Sequence, residues 1–409
     1  MPESFPVSRE LLRIKQISPE YGLLLDLLKG AIAHGKLSPE ADSWEQLDWV
    51  KFRGLAEYHE VVPVVYPALK NHDLQVSPEV MSSMRDYYYR CLAWCQSLSK
   101  EFLRVSDAFR GSGIAVLPLK GVALLSDLYS SSPARTMSDI DILVREADLC
   151  RAERVLVGLN YRQELHGLKK EYWRQRHYHL VFHRIDVPRA PVLEVHWMLD
   201  YKRNGPELLP RIWERERAIE DAQGQRFAVP SPEDSFFCLA LHLRRFGKIQ
   251  CLKNILDLKL LLEKYERGFD WDYILKESFR GRMRSSVYFS LCQADIIMPG
   301  LTCGRVFERL KLSGCKKRMI ANFIDRHSRR APAADGEKNG YLFSQFLLYD
   351  GLFEPVRYII NIPQEQFCNY YGLRPYTKKS RLLYRIRFLF ILYRLIKGCF
   401  SLRIRGWQK

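Results

Sequence analysis

Asp139 and Asp141 are the residues of this sequence whose types and spacing most directly suggest chemistry. They alternate with aliphatic residues from Asp139 to Val144, and this period of two predicts a β-strand with one polar and one buried face. Both carboxylates then lie on one side, about 7 Å apart, where they repel each other and are costly to bury. A divalent cation removes that cost, and Mg²⁺ prefers a few carboxylates together with phosphate oxygens and water. The pair is therefore typical of a site for a metal-bound nucleotide.

A third acid, Glu194, lies in the middle of an otherwise apolar segment, residues 192–197. With the periodicity of a strand, Glu194 and His196 share one face, and a buried acid there needs a metal ion or another cation as its partner. Two metal ions held by three carboxylates can activate an attacking hydroxyl and neutralise a leaving pyrophosphate. We therefore expect Asp139, Asp141 and Glu194 to be catalytic metal ligands. We expect His196 to orient a neighbouring group, with a direct catalytic role as the alternative.

Other residue types that bind metals give weaker patterns. His177, His179 and His183 lie in one strand-like segment, and their spacing is poor for a closed zinc site. The ten cysteines are scattered without a closely spaced framework, which favours buried, reduced thiols. Neither set is expected to carry the chemistry.

The acidic strands lie within a mixed segment that must position them. We predict strands and helices in alternation there, with strands over 114–119, 139–144, 179–183 and 192–197, and helices over 122–129 and 148–159. Before and after this segment, apolar residues recur at intervals of three and four, which predicts helices. Ser38-Pro39, Ser77-Pro78 and Ser231-Pro232 each have the composition of a helix start.

These patterns predict an α+β fold, with a small mixed-sheet core flanked by N- and C-terminal helical regions. At 409 residues the chain is long enough for two or three domains. We place the boundaries so as to give a helical region over 1–112, the α/β core over 113–230, a second helical region over 231–330, and a linker with a basic tail over 331–409. The linker composition is clearest from 329 to 340.

A set of short motifs in a fixed order surrounds the acidic strand. In chain order these motifs are Ala56-x-x-His59 with Val62-Pro63, Leu119-Lys120-Gly121, Leu124, Tyr129, Arg135, Ser138 to Val144, Asn160-Tyr161, Glu194-Val195-His196-Trp197, Ser231-Pro232-Glu233-Asp234, Leu241-His242 and Leu256-Asp257. Together they resemble the uncharacterised nucleotidyltransferase family of the polymerase-beta-like superfamily. The resemblance covers roughly residues 45 to 265 and is specific as a set, although no single motif is.

The resemblance implies a role for each site residue. It makes Asp139 and Asp141 ligands of Mg²⁺ or Mn²⁺ and Glu194 the third acid. It also implies contacts with a nucleoside triphosphate by four further residues: Lys120, Gly121, Arg135 and Ser138. The Gly121 backbone, at a helix start, would cradle phosphate. From the residues alone, Lys120 is equally consistent with a charge at the end of a strand, and Arg135 with an ion pair to Asp139.

The expected function is metal-dependent transfer of a nucleoside monophosphate to the hydroxyl of an acceptor, which is a protein, a small molecule or RNA. One departure from the superfamily pattern supports an alternative. Gly121 is followed by Val122, where the superfamily has Gly-Ser, so the serine contact with phosphate is missing. The alternative is a catalytically degenerate subunit that binds nucleotide or assists assembly.

The net charge of +17 is concentrated in the tail. Eleven Lys and Arg residues and no acid lie between Arg374 and Lys409, which leaves +6 for the rest of the chain. A helix predicted over 382–402 would be mostly apolar, with its basic residues in a narrow sector. This helix is expected to dock on the body, to lie on anionic membrane or to bind a partner. Because residues 1–20 are polar and no apolar run is long enough to span a bilayer, we expect a cytoplasmic protein.

Overall fold

A computed structural model describes residues 18–33, 47–71, 75–129, 134–165, 170–200, 211–245, 251–297, 304–328, 347–351, 354, 361–389 and 393. In these ranges the α-helices are, in chain order, α1 (Pro19–Ala33), α2 (Trp49–Tyr58), α3 (Val62–Lys70), α4 (Pro78–Gly111), α5 (Val122–Leu128), α6 (Leu149–Gly158), α7 (Lys170–Arg176), α8 (Pro232–Arg245), α9 (Leu252–Tyr265), α10 (Trp271–Arg280), α11 (Arg284–Ile297), α12 (Gly304–Arg309), α13 (Gly314–Ser328), α14 (Gln364–Tyr370) and α15 (Lys378–Arg385). Among the described residues, none of the helices combines the length and the apolar character needed to cross a bilayer.

The strands are β1 (Leu117–Pro118), β2 (Asp139–Leu143), β3 (Tyr161–Gln163), β4 (His179–Arg184), β5 (Val192–His196), β6 (Arg217–Glu220) and β7 (Arg226–Val229). The first five form one mixed sheet in the order β1-β2-β5-β4-β3. Strands β2 and β5 run parallel, and the other neighbours run antiparallel. β6 and β7 form a separate antiparallel hairpin. The predicted α+β class with a small mixed sheet is confirmed; β3 and the hairpin are additions to the predicted strands.

Two of the predicted helix starts are confirmed by their capping bonds. Ser77 accepts a hydrogen bond from the Val80 amide at 3.3 Å, with Pro78 in the first turn of α4. Ser231 accepts one from the Asp234 amide at 3.1 Å at the start of α8. The Ser38-Pro39 start and the linker over 329–340 lie outside the described residues.

The two faces of the sheet pack against different cores. Ile140, Ile142 and Val144 of the β2 segment lie in one core with residues of α4 and α6. Leu143, on the opposite face, lies in a second core to which both the N-terminal and the C-terminal helices contribute. The two helical regions therefore share a core, and the exact boundaries of the regions stay predictions. Asp139 and Asp141 are on the same face as Leu143, because side chains alternate along a strand.

Candidate active site

The register of the sheet places three carboxylates together. In the parallel ladder Asp141 lies opposite Glu194, and Asp139 lies opposite Val192. Residues paired across a ladder point to the same face, so Asp139, Asp141 and Glu194 share one face of two neighbouring strands. The structure thus brings together the three acids that the sequence singled out, although the strands that carry them are far apart in the chain.

Asp141 is buried between Lys120 and His196. Its Oδ2 atom lies 3.1 Å from the Lys120 ammonium, and its Oδ1 atom lies 3.0 Å from His196 Nε2. Burial by itself raises the pKa of Asp141, but Lys120 and His196 outweigh it and hold the pKa well below its usual range. Burial likewise lowers the pKa of His196, and its hydrogen bonds to Asp141 and Glu194 outweigh that effect, so the net shift is upward. One oxygen of Asp141 thus faces the Lys120 ammonium and the other faces the His196 imidazole.

Asp139 has the opposite electrostatic environment. Burial, followed by the negative charge of Asp141, raises its pKa to about 6, while Lys120 acts against this shift. Ser138, predicted to contact nucleotide, is exposed and its side chain hydrogen-bonds to Asp139. Asp139 is therefore the acid of the site whose negative charge is least compensated, as expected of a carboxylate that needs a cation.

Glu194 is flanked by two histidines. Its Oε2 atom lies 3.4 Å from His196 Nε2 and 3.8 Å from His179 Nε2. His179 reaches this position because it lies opposite His196 in the antiparallel ladder between β4 and β5. The ligand atoms of all three residues lie within 4.8 Å of one another, a spacing that could hold a metal ion. The sequence predicted Glu194 and His196 here but did not place His179 with them.

Lys120 and Gly121 form the turn between β1 and α5, beside β2. Besides Asp141, the Lys120 ammonium contacts His242 Nδ1 of α8 at 3.1 Å. Gly121 has φ +40°, and a Cβ there would lie 3.4 Å from Met137 Sδ and 3.7 Å from the Asp139 carbonyl oxygen. Glycine therefore suits both the backbone conformation and the close passage of this turn past β2. The predicted phosphate contacts of both residues stay predictions.

Arg135 has a different partner from either one that the sequence suggested. Its Nε donates to Asp257 Oδ1 of α9 at 2.8 Å, Nη2 donates to Oδ2, and the Tyr129 hydroxyl donates to Oδ1 at 2.7 Å. Arg135 is 6% exposed and Asp257 is fully buried. The guanidinium is thus committed to a buried carboxylate, and its observed role is to fix the segment before β2 on α9. The geometry gives no support to a direct contact with triphosphate or to an ion pair with Asp139.

The comparison with protein families agrees with this arrangement. The family model described as "uncharacterised nucleotidyltransferase" matches residues 45–299. The chain belongs to this nucleotidyltransferase family. No curated protein and no solved structure gave a significant match.

Within the part matched by the nucleotidyltransferase family, motifs that are distant in sequence meet at the segment before β2. The Thr136 hydroxyl donates to the Glu60 carbonyl oxygen at 3.1 Å, and the Lys253 amide donates to the His59 carbonyl oxygen at 3.2 Å. The Lys253 ammonium also pairs with the Glu60 carboxylate. The segment of His59 and Glu60, which precedes the sheet in the chain, and helix α9, which follows it, therefore both support the loop that leads to Asp139.

Sequence reasoning missed two contacts of the site. His179 was considered only with the histidines of its own segment, whereas its neighbours lie on another strand. The second contact is that of His242, whose motif was recognised in the sequence without a partner and whose Nδ1 atom contacts the Lys120 ammonium. Only the strand period of two, which puts His179 on the same face as His183, could have hinted at its position.

Proposed function

We propose that this chain transfers a nucleoside monophosphate from a nucleoside triphosphate to an acceptor hydroxyl, using Mg²⁺ or Mn²⁺ held by Asp139, Asp141 and Glu194. The observation that carries the proposal is the shared face of these three carboxylates on neighbouring parallel strands, in a chain of a nucleotidyltransferase family. Substrate identity does not follow from the fold, so the base of the nucleotide and the class of acceptor (protein, small molecule or RNA) stay open.

The donor set fits a divalent ion. Carboxylate oxygens are the ligands that Mg²⁺ and Mn²⁺ prefer, and a bound ion would offset the burial and the repulsion by Asp141 that raise the pKa of Asp139. The Lys120 ammonium already neutralises one oxygen of Asp141, so an ion using that oxygen must displace it. Lys120 would then be released towards the triphosphate, in agreement with its predicted contact.

In the proposed reaction the acceptor oxygen forms a bond to the α-phosphorus, and the bond from that phosphorus to the bridging oxygen breaks, so that pyrophosphate leaves. The bound metal supplies charge neutralisation of the phosphates. The acceptor hydroxyl loses its proton in this step. Glu194 is more accessible than Asp141 for taking it, because its side chain is 24% exposed whereas that of Asp141 is 4% exposed.

The test uses nucleoside triphosphates labelled at the α-phosphate, with Mg²⁺ or Mn²⁺ and fractionated candidate acceptors. Asp139→Asn/Asp141→Asn should lower labelling and pyrophosphate release by on the order of 10²-fold or more, as for loss of preorganised charge stabilisation. Asp107→Asn, at an exposed acid of α4, is the control and should leave both unchanged. Equal labelling by the double variant and the wild type would refute the carboxylate mechanism.

The alternative is a catalytically degenerate nucleotide-binding or assembly subunit. Two observations favour it: Val122 in place of a serine, and the contact of Lys120 with Asp141, which provides an internal cation where a metal would bind. This alternative predicts that nucleotide binds without pyrophosphate release for any nucleotide, metal or acceptor fraction. Calorimetry of nucleotide binding, run beside the labelling assay, separates the two proposals.

We further propose that the basic tail contacts anionic membrane from a cytoplasmic location. Helix α15 docks on α14 through Leu383 and Tyr384, whose hydroxyl donates to the Ile362 carbonyl oxygen at 2.8 Å. Four apolar residues at intervals of four, three and four face away from this contact and are between 41% and 63% exposed: Leu382, Ile386, Leu389 and Tyr393. We call these four residues the apolar stripe.

The charge of the residues around the apolar stripe indicates which partner the stripe would contact. Residues 374–389 contain six Lys or Arg side chains and no acid. An apolar stripe beside basic side chains is the pattern of helices that lie in the interface of anionic lipid. This observation supports membrane contact over docking of the whole helix on the body, because the stripe stays exposed after α15 has packed on α14.

A further inference from the structure

We propose that His179, Glu194 and His196 form a second metal site that takes a first-row transition ion, such as Co²⁺ or Zn²⁺, in preference to Mg²⁺. The role of this second ion in catalysis rests on the proposed function. Binding of the ion itself does not depend on turnover and is tested separately. The three side chains come from the two neighbouring strands β4 and β5 and converge on the polar face of the sheet.

The first argument is distance. Imidazole nitrogen and carboxylate oxygen bind such ions at about 2.0–2.2 Å, which sets ligand atoms roughly 3–3.5 Å apart. Glu194 Oε2 lies 3.4 Å from His196 Nε2 and 3.8 Å from His179 Nε2. The ligand atoms of all three residues lie within 4.8 Å of one another, so rotation of the side chains would have to bring the widest pair closer to close the set around one ion.

The second argument is donor type. Imidazole suits Zn²⁺ and the similar ion Co²⁺, whereas Mg²⁺ and Mn²⁺ prefer oxygen ligands and Mg²⁺ keeps several waters. Two nitrogen donors and one carboxylate thus select a different class of ion from the oxygen-only pair Asp139 and Asp141. Glu194 is common to both donor sets, and a carboxylate can bridge two ions.

The third argument is the supporting shell. His179 and His196 are 9% and 4% exposed, and their rings lie 4.9 Å apart between centroids. Tyr178 packs against both rings, with centroid distances of 4.5 Å to His179 and 5.7 Å to His196. The two imidazoles are therefore held in place by packing, as ligands of a preformed site should be. His196 Nε2 lies 3.0 Å from Asp141 Oδ1, so an ion bound to this nitrogen would take the place of the proton between the two atoms.

The chain supplies a matched control histidine. His183 lies on β4 and on the same face as His179, but its side chain is 47% exposed and its Nε2 atom contacts Glu164 at 2.6 Å. A variant at His183 therefore removes an imidazole from the same strand without touching the proposed set.

The experiment titrates the full chain, free of nucleotide, with Co²⁺ and follows the visible absorption of the bound ion; Zn²⁺ and Mg²⁺ are then added as competitors. Wild type and His183→Ala should bind one equivalent at the site, with Zn²⁺ displacing Co²⁺ and Mg²⁺ failing to do so at a hundredfold excess. His179→Ala and the bulkier His179→Gln should weaken Co²⁺ binding by at least about tenfold. Loss of a group that only supports a metal ligand typically weakens binding by about 10- to 100-fold, and His179 is proposed as a ligand itself. Thermal unfolding without metal verifies that each variant is folded.

Each outcome decides the proposal. Unchanged Co²⁺ affinity in both folded His179 variants, equal competition by Mg²⁺, or no visible absorption for the wild type would overturn it and leave the two histidines as hydrogen-bonding partners of the acids. Asp139→Asn separates it from the proposed function: that variant should keep the Co²⁺ absorption and lose transfer. Co²⁺ binding by a wild-type chain that transfers no nucleotide would refute the proposed function and leave the second metal site standing.

Discussion

Asp141 and Glu194 lie directly opposite each other in the parallel ladder between β2 and β5. This pairing makes one site from two strands that are distant in the sequence, and it places His196 within 3.0 Å of Asp141 and 3.4 Å of Glu194. The charges around the two aspartates of β2 are distributed unequally. Asp141 is neutralised by Lys120 and His196, whereas Asp139 keeps a repulsive neighbour. The first two predictions follow from that difference.

Asp139→Asn should raise the thermal unfolding midpoint of the metal-free protein at pH 8 and leave it unchanged at pH 3. The folded-state pKa of Asp139 is raised to about 6 from its usual value of 3.8, so folding favours the protonated acid. Its contribution to stability is therefore lost as pH rises from about 4 through 6, and the penalty is complete above that range. Asparagine carries no charge and removes the penalty. A variant that is less stable than the wild type at pH 8 would contradict the prediction, and Asp107→Asn is the matched control.

Lys120→Met should change metal and nucleotide affinity in opposite directions. Without the ammonium, Asp141 is free to bind a divalent ion, and Mn²⁺ affinity in the absence of nucleotide should rise on the order of tenfold, or about 1.4 kcal/mol. If Lys120 contacts the triphosphate once it leaves Asp141, the variant should bind nucleotide more weakly, and its KM for nucleotide should rise. Electron paramagnetic resonance of Mn²⁺ and steady-state kinetics measure the two effects. Weaker Mn²⁺ binding in the variant would show that Lys120 supports the metal site instead of competing with it.

The sequence was sufficient for the features that depend on local periodicity. The alternation from Asp139 to Val144 correctly predicted β2, and the capping residues Ser77 and Ser231 correctly predicted two helix starts. Partners across strands and helices were not predictable in this way, since register and packing depend on the whole chain. Arg135 illustrates the limit: its position before β2 suggested Asp139 as its partner, but the acid that reaches it is Asp257 on α9. No residue near Arg135 in the sequence indicates that Asp257 is its partner.

Arg135→Met should destabilise the fold by about 3–5 kcal/mol, because it leaves Asp257 as a buried charge without its cation. Chemical denaturation measures the loss, and Asp257→Asn in the same chain should restore part of it. Arg211→Met is the control, since its ion pair with Glu214 is exposed on both sides and should contribute little to stability. A loss as small as that of the control would mean that the buried pair is not needed to hold the loop on α9.

The apolar stripe should carry membrane binding by the full chain. Leu382→Ser/Ile386→Ser/Leu389→Ser removes three exposed apolar side chains from the stripe. Sedimentation with vesicles that contain anionic lipid should then fall at least about tenfold. The reason is that burial of even one such side chain in the membrane contributes about 1.5–3 kcal/mol. Binding by the wild type should weaken with added salt and be lower on neutral vesicles, because the flanking residues are basic. Val50→Ser/Val157→Ser is the control, since both valines are more than 60% exposed but lie elsewhere on the surface. If the wild type ignores anionic vesicles and instead forms a dimer that the triple variant abolishes, the stripe is an interface between two copies of the chain.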